Sequence, residues 1–204
     1  SIADQIGFTE PVSPKEREII VNSIAGKDFQ YYQDGITAVL SECHKKVKKD
    51  GYLVFSFHDK SLDSWLAVLE SIYSAGFYLK KCYPVQAETR TGAHTSNKNS
   101  IGIDLMLVCQ KVMMNQSQLT MITDERIDEA IMETRNFLIY TLEKFQKVEA
   151  EFTIPDIQNI VIAEFFVALK DYYSYDMNSK QVIVGRLRDF LDNIEDVAGD
   201  FEIT

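Results

Sequence analysis

From Gln33 to Val47 the apolar positions fall at Ile36, Val39, Leu40, Cys43 and Val47. That spacing predicts one helical stripe, with Lys45, Lys46, Lys48 and Lys49 toward the C-terminal end, where cations suit the helix dipole. Asp50-Gly51 breaks the pattern. Tyr52 to Phe57 is then a continuous apolar run, short enough for a buried strand, and it stops abruptly on His58 and Asp59. Ser61 or Asp63 can cap a second helix whose face is Leu62, Trp65, Leu66, Leu69, Ile72 and Tyr73, and Ala75-Gly76 ends it. Phe77 to Val85 reads as extended, with Pro84 marking an early end or a sheet edge. Ile103 to Cys109 is another strand. Helix, strand, helix, strand, strand predicts an α/β unit whose last two strands pair antiparallel across a long polar connection.

The second half is helical in pattern. Ile127, Ile131, Thr134, Leu138, Leu142, Phe145 and Val148 follow a near-heptad spacing after Asp124. A helix packed on the rest of the chain and a coiled coil both fit that spacing. Pro155 stands where a first-turn proline belongs, and Ile157 to Leu169 is apolar on nearly all sides, so this helix should be central. Val184, Leu187, Leu191 and Ile194 mark a final helix.

Charge divides the chain at the same place as the pattern. Residues 1–111 carry 13 basic and 13 acidic side chains, whereas residues 112–204 carry 8 and 18 and so hold the whole net charge of −10. The expected organisation is an α/β unit over 1–111 and an acidic helical domain over 112–204. An acidic surface repels phosphate, so the second segment is a poor candidate for gripping nucleic acid. Cys43, Cys82 and Cys109 each lie in an apolar pattern and are expected to be buried free thiols, as in a reducing cytoplasm. The first residues, SIADQIGFTE, lack both halves of a secretory signal and an initiator Met, as expected of a chain that begins inside a longer product.

Several chemistries are absent from the sequence. The nine glycines never form Gly-x-Gly, so neither a dinucleotide loop nor a P-loop is present. His44, His58 and His94 have no ligand partners at metal spacing, and no Gly-x-Ser-x-Gly elbow occurs. What remains is positional. In an open α/β sheet, ligands gather outside the carboxyl ends of the parallel strands. Ser56, Phe57, His58 and Asp59 occupy that end of the first strand. The connection Glu88 to Ser100, with Arg90, His94, Asn97 and Lys98, can fold over the same edge and suits a polyanion or a polar base. The same residues would also serve simply to turn the chain into its next helix beneath a solvated loop.

The run GYLVFSFHDKSLDSWLAVLESIYSAGFYLKKCYPVQAE, followed by NKNSIGIDLMLVCQK, resembles the end of the catalytic domain of adenine-specific DNA methylases of the large DUF1156 type. The matching pieces, in order, are Glu42-Cys43, Gly51 to His58, Asp63 to Trp65, Ala75 to Phe77, Pro84 to Glu88, and Cys109 to Lys111. The helical tail resembles that family's C-terminal region more loosely. The resemblance implies the C-terminal half of a Rossmann-like methyltransferase sheet, with Gly51–Phe57 as its fifth strand and an antiparallel terminal hairpin, followed by a helical region.

Such enzymes hold S-adenosylmethionine with a glycine-bearing loop and the target amine with an Asp-Pro-Pro-Tyr motif. Pro11, Pro14, Pro84 and Pro155 are never adjacent, and both motifs are missing. By the family's order they lie upstream. The resemblance therefore implies the C-terminal portion of a DNA adenine methyltransferase, inactive and without cofactor on its own. Its partners would be DNA, the N-terminal methyltransferase half or a second copy of the chain. Ser56, Phe57, His58, Asp59 and Glu88 would line the pocket of an extruded base, and Arg90, His94, Asn97 and Lys98 would face the nucleic acid. A non-catalytic interaction module on the same fold, or an RNA-directed enzyme, remains open at this stage.

Overall fold

The computed structural model describes residues 18–86, 102–112, 122–147, 153–170, 180–199 and 201. Its helices are α1 (Phe29–Lys46), α2 (Leu62–Ser74), α3 (Asp124–Gln146), α4 (Ile154–Ala168), α5 (Lys180–Asp192) and α6 (Ile194–Ala198). Its strands are β1 (Tyr52–Phe57), β2 (Phe77–Gln86) and β3 (Ile103–Lys111). No helix among the described residues is long and apolar enough to cross a membrane.

The fold is mixed α/β. β3 lies in the middle of a three-stranded sheet and runs antiparallel to both neighbours, in the order β1-β3-β2. β1 and β2 therefore point the same way, joined by α2, with the reversed strand between them. The expected hairpin pairing of β2 with β3 is present, shifted by a bulge between Leu79 and Lys81. Pro84 lies on an edge strand, as its missing N–H requires.

β1 differs from the expectation of a buried strand. It is the other edge, and along it outward and inward residues alternate. Leu53, Phe55 and Phe57 share a face with Leu105, Leu107 and Cys109, while Tyr52 and Val54 on the opposite face are 52% and 49% exposed. A run of apolar residues is compatible with either arrangement, and only the sheet order decides.

One face of the sheet holds the core. α2 packs on β2, α4 packs on β2 and β3, α1 lies against α2, and α3 lies against α4. The helices after Lys111 share a single hydrophobic cluster with the sheet. α4 explains why. Ile157, Ile160, Val161, Phe165 and Phe166 are all at or near zero exposure, each contributing about 1.5–3 kcal/mol by leaving water. Thr153 and Asp156 form a reciprocal capping box at its start, beside Pro155 in the first turn. α3 buries Ile127, Ala130, Thr134, Leu138 and Leu142 as a packed helix.

Local chemistry sets the other boundaries. α1 begins at Phe29, earlier than the apolar stripe shows, because the Asp28 carboxylate accepts from the Tyr31 N–H at 2.8 Å. Gly35 inside it allows Ile19 to lie against the backbone, where a Cβ would meet Ile19 Cγ2 at 2.7 Å. At the α2 start, neither Ser61 nor Asp63 makes the expected side-chain cap; the Asp59 carboxylate accepts from the Ser61 N–H at 2.7 Å instead.

Gly76 turns α2 into β2 at φ 83°, and a Cβ there would sit 3.1 Å from His44 Nε2. Gly76→Ala is expected to cost about 1–2 kcal/mol from the left-handed backbone alone. A lowered urea midpoint with an unchanged m-value checks this, and an unchanged midpoint would contradict it.

Candidate functional site

The carboxyl ends of β1 and β2 and the start of β3 share one end of the sheet, because β3 is reversed between them. The N-terminal turns of α4 reach the same end through two side chains. Asp156, fully buried, accepts from the backbone N–H groups of Gly102 (2.7 Å) and Ile103 (3.0 Å) and from the backbone and hydroxyl of Thr153. Asn159 Oδ1 accepts from the Asp59 N–H at 3.0 Å and the Trp65 indole N–H at 2.8 Å. Its amide nitrogen donates to the Pro155 carbonyl at 2.7 Å.

These contacts explain the abrupt end of the first strand. Phe57 points into the core and meets Trp65 edge-on, with ring centroids 4.8 Å apart. Asp59 is the turn, holding the chain on both sides through Ser61 and Asn159. Phe57 and Asp59, expected to line a base pocket, are thus engaged in joining strand, helix α2 and helix α4. Ser56 is exposed on the uncovered face, opposite Met106.

His58 is the residue at this end that faces outward with a polar partner. Its Nδ1 pairs with the Asp104 carboxylate, and the two side chains are 44% and 34% exposed. The register places them there, since Phe57 is opposite Leu105 and the next residue on each strand comes alongside. With Nδ1 held, the imidazole has Nε2 as its second hydrogen-bonding atom. The arrangement can orient a donor or acceptor and relay a proton. Glu88, Arg90, His94, Asn97 and Lys98 lie outside the described residues, although the strands on both sides of that connection end and begin at this edge.

Asp104, Asp156 and Asn159 were not singled out from the sequence. Asp104 becomes visible once the β1–β3 register is known, and Asp156 has a local signal in the Thr153-Ile-Pro-Asp156 capping pattern. Asn159 has none.

Among the described residues no group of His, Cys, Asp or Glu is placed to hold a metal ion. The thiols are free, with Cys82 and Cys109 buried and Cys43 half-buried. Burial pushes Cys109 up to about 12 and Cys82 well above the ordinary thiol value, so neither is an activated nucleophile. No protein-family model, curated protein or solved structure matches this chain.

Proposed function

We propose that this chain is the C-terminal portion of a cytoplasmic, S-adenosylmethionine-dependent DNA adenine methyltransferase. In this proposal an upstream half supplies the cofactor loop and the Asp-Pro-Pro-Tyr motif. The observation that supports it most is the sheet's bare side. Among the described residues β1 pairs only with β3, and Tyr52, Val54, Tyr83 and Val85 on the face away from the helices are between 38% and 52% exposed. That face mixes these exposed apolar side chains with polar Ser56, Lys80 and Gln110, and an unpaired edge beside it is a surface a neighbouring strand would cover. The helix between β1 and β2 and the antiparallel pairing of β2 with β3 support the part of the resemblance that expects a strand followed by a terminal hairpin.

In the assembled enzyme His58, steered by Asp104, faces the extruded base. Arg90 and Lys98 contact phosphate. Amine activation belongs to the upstream motif, so this chain supplies positioning rather than the methyl-transfer step itself.

The test joins the chain to its upstream half and measures methyl transfer, cofactor affinity and melting temperature together. His58→Ala should lower turnover about tenfold or more while leaving S-adenosylmethionine affinity unchanged. Arg90→Ala and Lys98→Ala should each flatten the salt dependence of DNA binding by about one unit of slope. Normal turnover per folded His58→Ala molecule would remove His58 from the site. Micromolar binding of S-adenosylmethionine by residues 1–204 alone would overturn the proposal as a whole.

A further inference from the structure

A concavity lies on the helix side of β2. Edge strand β2, the C-terminal half of α3, and α4 line a half-open pocket of about 450 Å³, within the range of small-molecule sites. Its walls are largely apolar and aromatic, with Pro84, Phe137, Tyr140, Phe145 and Val167 among them.

Its charges are unusual for this part of the chain. Residues 112–204 contain 8 basic against 18 acidic side chains, yet two of those eight, Lys144 and Lys170, line this cavity, and Lys81 joins them from β2. Lys144 lies over the Tyr140 ring, 5.2 Å from its centroid, which holds the ammonium beside an aromatic wall.

The acidic group in the wall is Glu164, from α4. Burial, the dominant cause, raises its carboxyl to about 7, against the lowering effects of Cys82, Lys170 and Lys81. Cys82 donates its thiol to Glu164 Oε2 at 3.3 Å. Glu133 on α3, which also raises Glu164, is itself paired with Arg126.

We propose that this cavity binds a small organic anion with a flat apolar body, its charged group held by Lys144 and Lys170 and its body against Phe137, Phe145 and Pro84. This stands independently of the methyltransferase assignment.

Protonated Glu164 adds no charge. Ionised, it places a like charge in the wall. Anion affinity should therefore be higher below about pH 7 and fall as pH rises through that value.

Fluorescence titration with anilinonaphthalene sulfonate, an anion with such a body, tests the proposal on the full chain. The neutral analogue phenylnaphthylamine serves as the control. The sulfonate should bind at one site, and Lys144→Glu with Lys170→Glu should weaken it roughly fivefold or more while changing the neutral probe less than about twofold. Glu164→Gln should remove the fall in affinity across about pH 7. Naphthoate should displace the sulfonate from the unaltered chain. Equal binding of charged and neutral probes, no effect of the double charge reversal, or failure of naphthoate to compete would each overturn it.

Discussion

Asp156→Ala is expected to lower the unfolding free energy by about 4 kcal/mol, the largest loss from any single polar side chain among the described residues. The carboxylate is fully buried and accepts four hydrogen bonds, two from the backbone that opens β3 and two from Thr153. Removing it takes the acceptor from the Gly102 and Ile103 N–H groups, each costing about 1–3 kcal/mol, and removes the Asp156 half of the α4 capping box while the Thr153 half remains. Asp156→Asn keeps the size but turns an NH2 toward donors, so most of the loss should remain. Urea unfolding of both variants measures this. A loss under about 1 kcal/mol would show that the junction is held by packing alone.

Asn159→Ala should cost about 2–3 kcal/mol. It removes the acceptor shared by the Asp59 N–H and the fully buried Trp65 indole, which keeps only a 3.2 Å contact to the Asp59 carbonyl. Trp65 is the chain's one tryptophan, so the effect has its own reporter. The native emission should shift to the red as water reaches the indole. An unchanged spectrum together with an unchanged urea midpoint would mean that Asn159 does not bridge the two helices.

The order of elements was legible because each depends on local pattern. The stripe from Leu62 to Tyr73, the stop at Gly76, the proline-marked edge strand and the apolar girdle of α4 all follow from neighbours a few residues apart. β1 misled because Tyr52 and Val54 are apolar yet outward-facing, and composition does not report which face a sheet leaves open. The candidate site divides in the same way. His58 was visible as an odd polar end to an apolar run, whereas Asp104 needed the strand register and Asn159 needed the packing of a helix a hundred residues away. Hydrogen bonds at that separation leave no periodic trace in sequence.

The Asp59–Asn159 bond also bears on how the chain reaches this structure. Its partners are 100 positions apart, and those of Trp65–Asn159 are 94 apart, so the loops they close are long and carry a corresponding entropy cost. Completing the sheet core with so distant a segment raises the contact order above that of the local helices alone, which slows folding. During synthesis the part of the core-facing side of β2 and β3 that α4 covers must wait, with only α2 packed beside it, until α4 has left the ribosome. The most vulnerable interval in the life of this chain is therefore the one in which its sheet exists and its fourth helix does not.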